Sequence, residues 1–263
     1  MSNPAVDANI ENSNAASLGI RVLAQGSYEA VTMLRNGEQL LLAIILPLLA
    51  MIGLVITPLV DGIADTRINA VAPGVLALCI VSAAFTGQGI TTGFDRRYGV
   101  LRFLATTPLG KAGLIAGKAL AVLMVVVIQI IVLGVAALIM GWQPFAHGNA
   151  WAITGAAIVF VLVGVLTFTA LGLLIAGSVR PEATLAITNL VWVLLAAVGG
   201  LLMPVRHLGG IWGPILDFLP SAALGDGLRS AFYHGEFNSL ALLSLVIWGL
   251  LATLGASRWF KWD

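Results

Sequence analysis

Between Lys118 and Arg180 lie sixty-one residues without a single Asp, Glu, Lys or Arg. A hydrocarbon layer about 30 Å thick is crossed by about 20 apolar residues rising roughly 1.5 Å each, so this stretch is too long for one crossing and fits two. Gly141-Trp142-Gln143-Pro144 and His147-Gly148-Asn149 divide it as a turn with an interfacial Trp. The rest of the chain reads the same way. Leu40–Val60 carries no charge and is followed by Asp61, Asp65 and Arg67; Ala70–Phe94 is again uncharged. Thr184–Met203 ends at Pro204 and Arg206, and Ser239–Ala256 at Ser257-Arg258. The expectation is an all-α integral membrane protein with six transmembrane helices, near residues 40–60, 71–94, 114–140, 151–176, 184–203 and 239–257, inside a membrane domain of residues 38–263. Composition agrees: 59% of residues are hydrophobic and 10% charged, against about 45–50% and about 25% in soluble domains.

Ahead of the first span, residues 1–15 are polar and read as a disordered tail. Arg21, Glu29, Arg35 and Glu38 interrupt any signal-type apolar core, so no cleavage is expected. Residues 16–37 read as an amphipathic helix lying in the membrane interface. Ile20, Leu23, Ala24, Ser27, Val31 and Leu34 fall on one face, and Arg21, Gln25, Glu29, Thr32 and Asn36 on another. With six spans, ten Lys and Arg residues fall on one side and three on the other. Basic loops stay in the cytoplasm, which puts both termini there. A net charge of +1 offers no field for nucleic acid. The single cysteine, Cys79, reads as a small buried apolar side chain.

The stretch from Phe94 to Lys118 gathers five of the thirteen Lys and Arg residues. Charge bias accounts for the basic residues but not for the rest of the pattern. Asp95-Arg96-Arg97 ends span 2, Gly99 precedes a short apolar-sided segment with Val100, Leu101, Arg102, Phe103 and Leu104, and Pro108 stops it after Thr106-Thr107. A short helix of this kind lies on lipid or docks in a partner's groove.

The pattern Asp95, Arg96 or Arg97, Gly99, Leu101, Leu104, Thr107, Pro108, Gly117 and Lys118 resembles the cytoplasmic loop of ABC-2-type transporter membrane subunits, and "FDRRYGVLRFL" is similar to the spelling in half-size drug-resistance exporters of the daunorubicin type. Asp95 stands where many members carry Glu. Asn189, Gly199-Gly200, Pro204, Pro220 and Gly227-Leu228-Arg229 match a second family stretch, between spans 5 and 6. The resemblance implies that the loop is the coupling helix, contacting a cytosolic ATP-binding subunit through Asp95, Arg96, Arg97, Gly99, Leu101, Arg102, Leu104, Thr107 and Pro108. It implies two such subunits per complex, which hold the ATP and Mg, and a second membrane subunit, identical or related. It also implies export of a drug, lipid or glycolipid across the plasma membrane, and re-entrant or interfacial half-helices over residues 204–238.

No Gly-x-x-x-x-Gly-Lys-Ser/Thr occurs, so ATP hydrolysis is expected in a separate subunit and no cofactor in this chain. Apart from Lys118, near the start of the third, no charged residue falls within an expected span, which weighs against the alternative of an ATPase-independent secondary transporter or channel; a bare membrane anchor is the third reading. Gln129 and Asn189 are the candidates for a substrate path, set against plain interhelical hydrogen bonding. His147, His207 and His234 are not at metal-ligand spacing. Asp226 and Arg229, three apart, are expected to pair on one helix.

Overall fold

The computed structural model describes residues 16–204 and 212–259. The expected tail of residues 1–15, and Arg206, His207 and Lys261 from the charge and histidine counts, lie outside them. The described residues are helical and form no strand: α1 (Leu18–Arg35), α2 (Gly37–Ile56), α3 (Arg67–Arg97), α4 (Val100–Ala105), α5 (Gly110–Ile139), α6 (Ala150–Ser178), α7 (Pro181–Val198), α8 (Trp212–Asp217), α9 (Pro220–Arg229) and α10 (Ser239–Trp259). Five of these, α3, α5, α6, α7 and α10, contain stretches long and apolar enough to cross a membrane. The apolar part described in α2, Ala43–Ile56, is shorter.

Helix α3 is the hub. Its first half packs against α2, α5 and α9, and its second half against α6 and α7. Its middle, Ser82–Gly87, widens into a π turn, a local unwinding that spoils the regular ladder and is often found at functional positions. Helix α6 starts where the Asn149 side chain accepts a hydrogen bond from the Trp151 N–H, 2.9 Å away. Helix α7 starts with Pro181 in its first turn, where the missing N–H costs nothing. It stops at Val198, short of the expected Met203. The apolar run continues, but the Gly200 and Leu201 carbonyls accept from Arg229 at 2.6 and 2.8 Å instead of from a next helical turn. Arg229 also pairs with Asp226 at 2.7 Å, as their spacing predicts.

The amphipathic helix differs from its sequence reading. Helix α1 lies along α5. Gly26, Glu29, Ala30 and Met33 are buried against the protein, while Ile20, Leu23 and Val31 remain exposed. Glu29, expected on the polar outer face, is therefore inside.

Candidate functional site

The chemistry-bearing residues collect at the end of α3 that carries Asp95, and each of three consecutive side chains grips a different element. Asp95 Oδ2 accepts from Lys118 Nζ of α5 at 2.9 Å, and the same ammonium reaches Glu29 Oε2 of α1 at 3.2 Å. The other oxygen of Glu29 accepts from Gln25 Nε2 at 2.7 Å. Lys118 is only 1% exposed. A cation this deep is tolerable only because two carboxylates replace its water. Arg96 Nη1 donates to the Val179, Ala176 and Gly177 carbonyls at 2.9, 3.2 and 3.4 Å. These carbonyls at the C-terminal end of α6 lack intrahelical donors and carry the negative end of the helix dipole. Arg97 faces outward, 3.9 Å from Glu182 of α7 and over the Tyr98 ring.

Past this junction, Gly99 takes φ +72°, a left-handed turn that a side chain would strain, and starts α4. Thr106 and Thr107 close the helix by donating to the Phe103 and Leu104 carbonyls at 2.7 and 2.6 Å. Arg21 of α1 donates to the Pro108 carbonyl. The motif leucines do not present themselves to a partner. Leu101 is fully buried and packs with Leu109, Leu114 and Val22, and half-buried Leu104 joins them. The exposed side chains are Phe103 at 70%, Tyr98 at 72%, Val100 and Arg102. The expectation that Leu101 is a docking knob is thereby corrected. Its period-three spacing with Leu104 marks the face that anchors α4 to α1 and α5, and the adjacent face is the free one. Asp95 and Arg96 likewise spend their hydrogen bonds within the chain.

A groove of about 380 Å³ opens beside the π turn of α3, between α2, α7 and the end of α1. Ile90, Phe94 and Leu185 make it apolar. Its polar side chains include Asn36 and Asn189, both exposed, and Ser82, which accepts from Trp192 Nε1 at 2.8 Å. Thr86 Oγ1 is enclosed there without a hydrogen-bond partner. Among the described residues no charged side chain lines the groove. Gln129 is placed elsewhere: it is fully buried and donates to the Ala43 carbonyl of α2 at 3.1 Å, a bond between helices. At the opposite end of α3, His147 and Tyr233 both reach Asp65, at 3.2 and 3.4 Å. No group of three His, Cys, Asp or Glu suited to a metal occurs among the described residues.

Glu29 is the residue that sequence reasoning missed. Its signal is Lys118, a basic residue eight positions into a long apolar helix, which requires acidic company if it is to be buried.

The ABC-2 type transporter family profile matches residues 21–233, from α1 through the π turn that follows α9. The protein named "Putative transport permease ycf38" of Porphyra purpurea is 26% identical to this chain over 175 residues. That alignment takes in 65% of this chain and 59% of the relative, which is less than two thirds of the relative's length.

Proposed function

The chain belongs to the ABC-2 type transporter family, and on that premise we propose that it is the membrane subunit of an ATP-driven exporter. It crosses the plasma membrane six times, with α2 as the first span, and both termini lie in the cytoplasm. The α3–α5 loop faces two cytosolic ATP-binding subunits, which bind ATP and Mg and supply the hydrolysis. A second membrane subunit, identical or related, covers the exposed apolar faces of α2 and α7. Helices α8 and α9 are half-helices that dip in from the outer side. The groove beside the π turn receives a hydrophobic or amphipathic substrate from the inner leaflet. Its walls suit an acyl chain or ring system, and Asn189 and Thr86 offer hydrogen bonds to a single polar group. The uncharged lining supports this over ion-coupled transport, which draws on ionisable residues within the membrane.

The observation that carries the reading is the division of labour in α4. Leu101 holds the helix to the protein while Phe103 stands 70% exposed beside Arg102 and Tyr98. A solvated loop gains nothing by displaying two aromatic rings; a docking helix uses them as anchors. Phe103→Asp tests this without touching the interior. An unpaired charge in a desolvated contact costs about 2–5 kcal/mol, so the variant is expected to insert normally and lose the ATP-binding subunit on co-purification. Retention of that subunit by Phe103→Asp, at equal membrane insertion, overturns the docking assignment.

A further inference from the structure

The end of α6 that lies away from α4 carries a cleft separate from the groove beside the π turn of α3. Its volume is about 420 Å³, within the usual range for a small-molecule site. One wall is the α6 face with Ala152, Gly155, Ala156 and Val159; the other comes from the segment after α9, with Ala231 and Phe237. None of the six is polar. Small residues open the space: a Cβ on Gly155 would meet nothing within 4 Å. The second wall is fixed in place. Gly235 takes φ +66°, and a Cβ there would lie 2.7 Å from the His147 carbonyl, so the α5–α6 loop presses directly on this backbone. Phe237 then packs on the Phe160 ring, with centroids 5.6 Å apart.

Depth and charge together fit this cleft to a lipid. Helix α6 runs for 29 residues, about 44 Å by the rise of a helix, and the hydrocarbon layer is about 30 Å thick. Centred in the bilayer, the helix keeps its first turn at headgroup level. Trp151 stands in that turn, 87% exposed, as an interfacial ring. The cleft runs from there towards Val159, which lies within the hydrocarbon. Glu236 lines the cleft with its side chain exposed, and it has no ion-pair partner among the described residues. An unpaired carboxylate over an apolar slot, flanked by the exposed rings of Trp151 and Phe237, suits a molecule with a cationic head and an acyl tail. Carboxylate and ring faces both attract an ammonium, and the carboxylate repels an anionic head.

We propose that this cleft binds a membrane glycerolipid whose headgroup carries an ammonium: one acyl chain lies along Ala152, Gly155 and Val159, and the headgroup nitrogen meets the Glu236 carboxylate. The site requires only that α6 spans the bilayer, and it does not depend on what the chain transports.

The test uses the full chain in nanodiscs and two photoreactive lipids, a phosphatidylethanolamine and a phosphatidylglycerol, with the same diazirine-bearing acyl chain. Labelled peptides are located by mass spectrometry. Peptides that contain Ala152 to Val159, or Phe237, are expected to be labelled about threefold more by the ethanolamine probe, the scale of an exposed ion pair. Glu236→Gln is expected to bring the two probes level, and Glu236→Lys to favour the glycerol probe. Gly155→Phe fills the slot from an open helix face, so it is expected to remove the label of both probes from these peptides at unchanged membrane insertion. Equal labelling by the two probes in the native chain overturns the proposal. So does a preference that survives Glu236→Gln, or a label that persists in Gly155→Phe. An unlabelled cleft in the native chain, with a disulfide forming between two copies of Gly155→Cys/Cys79→Ala, shows that a second copy covers it and overturns the proposal as well.

Discussion

Helix α3 carries an arginine near each end, Arg67 and Arg96, and each closes off the C-terminal carbonyls of a neighbouring helix. Arg67 donates to the Val55 and Ile56 carbonyls of α2, both at 3.2 Å, and pairs with Asp61 at 2.6 Å. Arg96 does the same for α6. The bonds are alike but their settings are not. Arg67 and Asp61 have side chains 38% and 54% exposed, on a short loop that ends two adjacent helices. Arg96 sits beside a buried lysine with two acids and joins the ends of α3 and α6, while Arg97 reaches Glu182 of α7. By the rise of a helix, Arg67 and Arg96 are about 44 Å apart along the axis. The difference teaches where the molecule resists relative movement. At one end ionic contacts tidy a turn in water; at the other they lock α1, α3, α5 and α6 in a single register.

The comparison breaks hardest at Lys118. Lys118→Ala leaves Glu29 buried with no cation, and breaking a buried ion pair of this kind costs about 3–5 kcal/mol. The expected outcome is a sharp fall in correctly inserted protein, or in the thermal midpoint of the detergent-purified chain. A variant as stable as the native chain would mean that the two acids find other partners, and that this end is no tighter than the other.

Next in size is the paired loss of the helix clamps. Arg96→Ala frees three carbonyls at a half-buried helix end, at about 1–3 kcal/mol for the lost charge-assisted bonds. Arg67→Ala is expected to destabilise less, because water reaches the Val55 and Ile56 carbonyls once the side chain is gone. Thermal midpoints of the two variants, measured side by side, check the order. If Arg67→Ala proves the worse, the contrast between the two ends is reversed.

Part of this was legible in the sequence and part was not. Uncharged runs reveal long apolar helices because the cost of burying charge in lipid acts residue by residue. Gly99 and Pro108 reveal the short helix between them because both act on the local backbone. Glu29 was not legible, since at 100° per residue it falls on the polar stripe of α1 with Arg21 and Thr32. What turns it inward is a lysine 89 residues later. Leu101 and Leu104 mark an apolar face of α4, but periodicity alone is silent on whether that face meets the chain's own helices or another protein. The end of α7 was misjudged for a related reason. Leu201-Leu202-Met203 looks like more span, and it is the Arg229 guanidinium, 28 residues beyond Leu201, that takes up the carbonyls where the backbone leaves the helix.

The smallest effect lies at the exposed end and fixes the lower bound of the contrast. The hydrogen bond from Arg67 holds the Asp61 carboxyl below the usual aspartate range. A folded-state value below the unfolded one means that the bond stabilises the loop above the unfolded pKa, and that this contribution is lost as the pH falls through the folded value. The Asp61–Arg67 pair is therefore expected to stay intact through mildly acidic pH and to open only under stronger acid. In protein labelled with carbon-13 at aspartate, the Asp61 carboxyl resonance should titrate below the usual aspartate range, and Arg67→Gln should return it to that range. Because water reaches both side chains, the accompanying change in thermal midpoint should be slight, and smaller again in high salt. A large, salt-insensitive loss on Arg67→Gln would show that this end, too, is held by a tight ionic lock, and the two ends of α3 would then differ in appearance only.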